Sequence, residues 1–284
     1  MVISNYFVKK IINPKRVSLE KTISLSKKHH LYYDFDSVNK KKIKIKSFDS
    51  YILNGYFIEN ESKTNKYVII SHGHNWTKVG SLKFMNLYLS LGFNCIIYDN
   101  RGHGENEKST ITLGLTESKD LIEIIYFVRK KYGSNIFLGL HGESMGASLS
   151  LMSLKYKPDV QFVVSDCGYA NFSSVVSLNL KHHHIPKIFL KLIGWLSFLR
   201  YGFNLTKVSV IPSLKDNKIP ICYIHGKKDT YVPYNESVIM YDKTNSYREL
   251  HLFSNSEHLR CYLDEAEKYK KIIEKFLRKV SFIK

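Results

Sequence analysis

The stretch His141-Gly142-Glu143-Ser144-Met145-Gly146 follows the apolar run Ile136 to Leu140 and precedes a helix-like run, Ala147 to Lys155. Strand, sharp turn and helix in that order give the turn a meaning that its letters alone lack. A Gly-x-Ser-x-Gly turn so placed holds its serine in a strained elbow and presents the hydroxyl above the carboxyl end of a sheet. Gly142 and Gly146 are needed because larger residues would clash where the strand and helix pack. Ser144 could instead be a helix N-cap, a common role for serine. Glycines on both sides, directly after a buried strand, favour the elbow.

Outward from this turn the chain alternates. Tyr67 to Ile70 is a continuous apolar run ending in Ser71-His72-Gly73-His74-Asn75, the pattern of a strand buried on both faces and followed by a functional loop. A helix around Gly80 to Leu91, a strand Phe93 to Tyr98, a helix Glu117 to Lys131, the elbow strand and a strand Phe162 to Asp166 follow. After Gly168 the alternation stops. Residues 171–215 carry aliphatic and aromatic residues at helical spacing and no persuasive strand, so a helical cap is expected there. Strand Ile221 to His225, a helix after Pro233, strand Glu249 to Phe253 and a helix from about Leu263 to Lys279 complete the chain. Two further strands, Lys42 to Phe48 and Tyr51 to Glu59, precede the alternation, and residues 1–38 read as a basic, helical extension on the outside. The fold class is therefore α/β: a mostly parallel sheet of about eight strands flanked by helices, with a cap inserted after the sixth strand. Residues 39–170 and 216–284 form the core, and 171–215 the cap.

Composition excludes several classes. With 284 residues, 44% of them hydrophobic, and six prolines, the chain can bury a full core and holds no low-complexity tract. Its formal charge of +18 raises nucleic-acid binding, but the lysines are scattered and no matching motif is present. In Lys40-Lys41-Lys42-Ile43-Lys44-Ile45-Lys46 the alternation puts lysines on one strand face and isoleucines on the other, the mark of a solvated strand that resists edge pairing. Weak attraction to anionic membrane surfaces is the expected consequence of the charge. The four cysteines have no Cys-x-x-Cys spacing and read as buried thiols, which suits a cytoplasmic protein. Met1 to Ile12 lacks the pattern of a signal peptide, and no run reaches the ~18 uncharged residues that a membrane span needs.

In sheets of this kind ligands sit beyond the carboxyl ends of the strands. The loops there supply His72-Gly73-His74, the elbow, Gly226-Lys227-Lys228-Asp229 and Ser254-Asn255-Ser256-Glu257-His258. Ser144, Asp229 and His258 occur in the nucleophile, acid, base order of serine hydrolases built on such sheets. A serine hydroxyl is a poor nucleophile until an imidazole takes its proton, and a carboxylate fixes that imidazole's tautomer.

Ser71-His72-Gly73-His74, Tyr98-Asp99-Asn100-Arg101-Gly102-His103-Gly104, the elbow and Val164-Ser165-Asp166-Cys167-Gly168 together resemble small bacterial cap-bearing serine hydrolases of the α/β-hydrolase superfamily. The resemblance runs from about Tyr51 to the C-terminus. It implies an oxyanion hole made by the backbone N–H groups of His74 and Met145. It also favours Asp229 as the acid, since its loop is similar to the family's usual acid loop. Asp166, at the end of the preceding strand, is the rival, because some members carry the acid there. Asp99 and Arg101 read as a charged pair tying down their loop, and His225 and His251 as structural. A zinc site at His72, His74 and His103 is disfavoured because Asn75-Trp76 stands where a metallohydrolase would need an acid and a histidine. His182-His183-His184 reads as a solvated patch, and neither metal nor cofactor is expected.

The expected function is hydrolysis of a small carboxylic ester, with thioesters and amides as variants, through an acyl-enzyme on Ser144. The competing readings are a non-catalytic binding protein on the same fold and a membrane-peripheral lipid or acyl hydrolase. Trp195 and Phe198, in the apolar stretch Lys187 to Arg200, are the candidate walls of an acyl pocket.

Overall fold

A computed structural model describes residues 2–33 and 35–281. Met1 and Asp34 of the expected extension and residues 282–284 of the expected core lie outside the described residues. Strands β1 (Lys40–Lys46), β2 (Ile52–Ile58), β3 (Lys66–Ser71), β4 (Asn94–Tyr98), β5 (Phe137–Glu143), β6 (Phe162–Asp166), β7 (Ile221–Gly226) and β8 (Arg248–Phe253) form one sheet in the order β1-β2-β4-β3-β5-β6-β7-β8. β1 and β2 are antiparallel to each other, and β2 is antiparallel to β4. From β4 to β8 all pairings are parallel.

Burial explains why these strands were legible. β4, β6 and β7 are buried at every residue, and Cys95 to Tyr98, Phe162 to Val164 and Ile221 to Ile224 within them read as apolar runs. β1 is an edge strand with Ile43 and Ile45 inward and Lys42, Lys44 and Lys46 exposed, which fences the free edge with charge. β3 has β4 on one side and β5 on the other, so chain connections leave in opposite directions there and open a crevice at the carboxyl ends.

The helices are α1 (Val2–Ile12), α2 (Leu19–Lys28), α3 (Leu82–Ser90), α4 (Glu117–Tyr132), α5 (Met145–Ser153), α6 (Phe172–His182), α7 (Ile188–Tyr201), α8 (Asn235–Lys243), α9 (Cys261–Asp264) and α10 (Ala266–Val280). Two apolar layers sandwich the sheet. One gathers residues of α4 and α5, such as Leu121, Ile125 and Leu149, and the other residues of α3 and α10, such as Phe84, Ile273 and Phe276.

Between β6 and β7 the chain leaves the sheet through α6 and α7. The base of this excursion is pinned by hydrogen bonds from the Phe172 N–H to the Val208 carbonyl (3.0 Å) and from the Val210 N–H to the Ala170 carbonyl (2.8 Å). The N-terminal segment, expected to be a helical extension packed on the outside, forms α1 and α2. Phe7, Val8 and Ile12 of α1 are buried, and α1 packs against α7. The Ile111 N–H donates to the Ile12 carbonyl (3.1 Å), Arg16 donates to the Gly104 carbonyl (3.0 Å), and Arg200 donates to Asn5 Oδ1 (2.5 Å). The basic residues of α1, Lys9 and Lys10, stay exposed.

Candidate active site

β5 ends in the elbow and α5 begins directly after it. Ser144 adopts φ 55° and ψ −117°, a conformation that a non-glycine residue holds only when its surroundings impose it. The Ser144 N–H donates to the Asp166 carbonyl (2.8 Å), and the Ser148 N–H donates to the Ser144 carbonyl (3.1 Å). A Cβ on Gly142 would lie 2.1 Å from the Gly146 carbonyl oxygen, and one on Gly146 would lie 2.0 Å from that of Ser71. Both glycines are therefore close-approach positions, as the elbow requires.

Loops from two other strands complete the arrangement. His258, after β8, places Nε2 3.1 Å from Ser144 Oγ and Nδ1 2.6 Å from Asp229 Oδ2. Because Nδ1 faces a carboxylate it carries the ring proton, leaving Nε2 free to accept one from the serine. Asp229, after β7, also accepts from the N–H groups of Tyr231 (2.9 Å) and Val232 (2.8 Å) through Oδ1. Burial opposes its charge, but hydrogen bonds from His225 and His258 outweigh that cost and hold the carboxyl well below the usual range. Asp166 is engaged elsewhere. Its Oδ2 accepts from the Tyr269 hydroxyl (2.9 Å), and burial, reinforced by the Glu143 charge, pushes it up to about 6.

Two supporting residues escaped the sequence reading. His225 was expected to be structural, but its Nε2 faces both Asp229 Oδ2 (3.1 Å) and the Val232 carbonyl (2.9 Å), so it is an N–H donor that buttresses the acid. Its Nδ1 accepts from the Ser237 hydroxyl (2.7 Å). Lys83 of α3 is buried, forms an ion pair with Glu143 and donates to the Leu259 carbonyl (3.0 Å). Desolvation works against this ammonium, yet the attraction of Glu143 holds its pKa above the ordinary lysine value. Lys83 thus ties the residue before Ser144 to the residue after His258. The partners of Lys83 lie far apart in the chain, and His225, only four residues from Asp229, carries no motif that marks the contact.

The histidine-rich loops are held by backbone groups. His72 Nδ1 donates to the Gly73 carbonyl (2.7 Å) and Nε2 accepts from the Asn100 N–H (2.9 Å); burial pushes its pKa down to about 3. His103 Nε2 accepts from the Asn75 N–H (3.1 Å), and its Nδ1 donates to the Arg101 carbonyl (2.8 Å). His74 Nε2 donates to the Ile11 carbonyl (2.8 Å), which fastens α1 to the loop after β3. His251 pairs with Glu249 (2.8 Å) on β8, a structural role. Cys167 lies with Asp229 and His258, their ligand atoms within 4.8 Å of one another, but burial raises its thiol far above the usual range and keeps it protonated.

Two expectations need correction. Asp99 does not pair with Arg101: it binds buried Lys78 (2.6 Å), while Arg101 binds Asp49 and Asp120. Charge signs in the motif could not reveal these distant partners. Trp195 and Phe198 do not line the cavity beside Ser144; they face outward, 53% and 55% exposed. The buried side of α7 is instead built from Ile193, Gly194, Leu196 and Ser197, because Gly194 lies against Asn204 and Ser197 accepts from the Leu205 N–H (3.0 Å).

The cavity at Ser144 measures about 1210 Å³. Gly73, His74, Met145 and His258 reach it from the sheet, and Phe7 and Ile11 of α1 face Phe172, Val175 and Val176 of α6. A strained serine, a histidine and a carboxylate in series above the carboxyl ends of a parallel sheet define a hydrolase of the α/β-hydrolase fold. Comparison narrows this: the prolyl oligopeptidase family model matches residues 81–283, and the chain belongs to that family. The uncharacterized protein YqkD of Bacillus subtilis (strain 168) is 29% identical over 253 residues, covering 88% of this chain and 83% of YqkD. The Pyrococcus furiosus esterase Pf2001 superposes with a TM-score of 0.75 at 24% identity, over 95% of this chain and 98% of that one. The Pyrococcus horikoshii acylaminoacyl peptidase gives 0.66 at 20% identity, with 87% of this chain matching 43% of the peptidase.

Proposed function

We propose that the protein is a serine hydrolase of carboxylic esters with apolar acyl groups, acting through an acyl-enzyme on Ser144. The observation that carries this reading is the hydrogen-bonded series Ser144 Oγ, His258, Asp229 at the wall of an apolar chamber. As Ser144 Oγ attacks the ester carbonyl carbon, its proton passes to His258 Nε2, and Asp229 stabilises the resulting imidazolium. The carbonyl oxygen becomes an oxyanion, for which the backbone N–H groups of His74 and Met145 are the assigned donors; losing one such donor typically costs about 3–4 kcal/mol of transition-state stabilisation. Collapse breaks the ester C–O bond, and the leaving alkoxide takes the proton from His258. Water, deprotonated by the same imidazole, then releases the acid and restores Ser144.

The chamber suggests the acyl class. Phe7, Ile11, Phe172, Val175 and Val176 offer apolar contact and no hydrogen-bond requirement, so they suit an aliphatic acyl chain. Turnover of p-nitrophenyl acetate, butyrate and octanoate tests the reading: hydrolysis abolished in Ser144→Ala supports it, and a folded wild type inert to all three overturns it. A second reading, peptide or amide hydrolysis, is favoured by the family match. Aminoacyl p-nitroanilides cleaved faster than the esters would establish it.

A further inference from the structure

Helix α7 is apolar on both sides. Ile193, Gly194, Leu196 and Ser197 are buried, whereas Ile188, Trp195, Phe198 and Leu199 are 65%, 53%, 55% and 59% exposed. With Lys191 these residues fall at i, i+3, i+7, i+10 and i+11, which is one face of a helix. A helix whose packing alone mattered would place its aromatic residues inward and its small polar residues outward.

The stretches that form α1, α6 and α7 carry charge of a single sign. There is no acidic residue between Asp166 and Asp216, and none before Glu20, while Lys181, Lys187, Lys191 and Arg200 flank the apolar face. Lys9 and Lys10 add exposed positive charge on α1, which packs against α7 and exposes Tyr6. The chain's net charge of +18 is thus matched by a local excess around exposed aromatic residues. Apolar residues ringed by lysine and arginine, with Trp at the centre, match the boundary between anionic headgroups and acyl chains. At 14 residues α7 is about 21 Å long, short of the ~30 Å hydrocarbon core, and among the described residues no helix is long and apolar enough to cross a membrane.

We propose that the exposed face of α7 docks the protein on an anionic bilayer surface, with Trp195 and Phe198 entering the headgroup boundary and Lys187, Lys191 and Arg200 meeting lipid phosphates and carboxylates. The helix lies in the plane of the interface. α7 packs on α1 and α6, the two helices that wall the Ser144 chamber, so the docked bilayer lies one helical layer from the site. Docking does not depend on the assigned chemistry, and its test is independent of turnover.

The full-length protein is mixed with sedimentable vesicles of phosphatidylcholine alone or with about 30% phosphatidylserine, at low salt and at ~0.5 M salt. The expected result is co-sedimentation with the anionic vesicles only, reduced at least about tenfold by high salt and, separately, by Trp195→Ser with Phe198→Ser. The chain has two tryptophans, so in Trp76→Phe the emission of Trp195 alone should shift to the blue on vesicle addition. The urea unfolding midpoint of the Trp195→Ser, Phe198→Ser variant should match that of the wild type, which shows that the variant is folded. Wild-type protein left in the supernatant, or vesicle binding undiminished in the variant, overturns the proposal. So does a dimer in analytical ultracentrifugation that the same substitutions dissociate without vesicle binding by the wild type, since α7 is then covered by a second copy. Binding to heparin or RNA with none to vesicles would overturn it in favour of a nucleic acid.

Discussion

Ser144 illustrates how a residue inherits its role from its backbone. Its φ of 55° is imposed by β5 and α5, and Gly142 and Gly146 allow the close approach that those elements demand. The two candidate acids are separated by their partners: Asp229 meets His258 at 2.6 Å, whereas Asp166 meets the Tyr269 hydroxyl at 2.9 Å. Asp229→Asn should lower kcat for p-nitrophenyl butyrate by about 10⁴ through the wrong histidine tautomer, with Asp166→Asn changing it far less. The pH dependence of stability distinguishes Asp166 further. Its carboxyl titrates near 3.8 when unperturbed and is pushed up to about 6 by burial, so the folded state resists ionisation. Wild-type stability therefore loses a contribution as pH rises from about 4 to about 6, and the penalty is constant above that window. In denaturant titrations Asp166→Asn should gain on the wild type across this range and hold its advantage at pH 7 to 8. An advantage that shrank as pH rose would contradict the assigned shift. Ser144, Asp229 and His258 were legible because each follows a recognisable strand, and loops after parallel strands converge. Lys83 was not, since its partners are in remote segments, and His225 was not, since a strand residue's reach to the loop four positions on depends on how that loop folds back.

At the scale of elements, the reading was sound where periodicity had one interpretation and failed where it had two. The strands from β3 to β7 showed themselves as largely apolar runs bounded by loops. α7 is apolar nearly all round, so its pattern carries no phase; Gly194 and Ser197, which let it press against residues 204–205, decide which face is inward. α1 was legible as a basic helix packed on the outside, but its contacts to His74 and Ile111 were not. Two predictions belong here. Lys83→Met leaves Glu143 buried without its partner and should cost ~3–5 kcal/mol in urea unfolding. Adding Glu143→Leu should restore most of that stability while kcat remains reduced, since the tie to Leu259 stays broken. Recovery of both together would reduce Lys83 to a charge partner. Ile11→Trp on α1 should fill the chamber, lowering kcat/KM for the octanoate ester relative to acetate by at least about tenfold, consistent with ~1–3 kcal/mol per misfitted methylene. Equal effects on the two esters would remove α1 from the specificity wall.

The whole molecule combines a strongly buried parallel sheet, which fixes three loops relative to one another, with a helical side that is apolar, basic and free of acidic residues from 167 to 215. Overall charge was legible from composition, but the packing of α1 on α7, which brings together two stretches without acidic residues, was not. The claim on which this account stands is that Ser144 is the nucleophile, and covalent capture tests it without assuming a substrate. The protein is treated with a fluorophosphonate, and its intact mass and proteolytic peptides are measured. The account predicts one adduct per chain, located on Ser144, absent in Ser144→Ala and formed much more slowly in His258→Ala. Folded wild-type protein that takes no adduct, or takes it on another residue, would contradict the account.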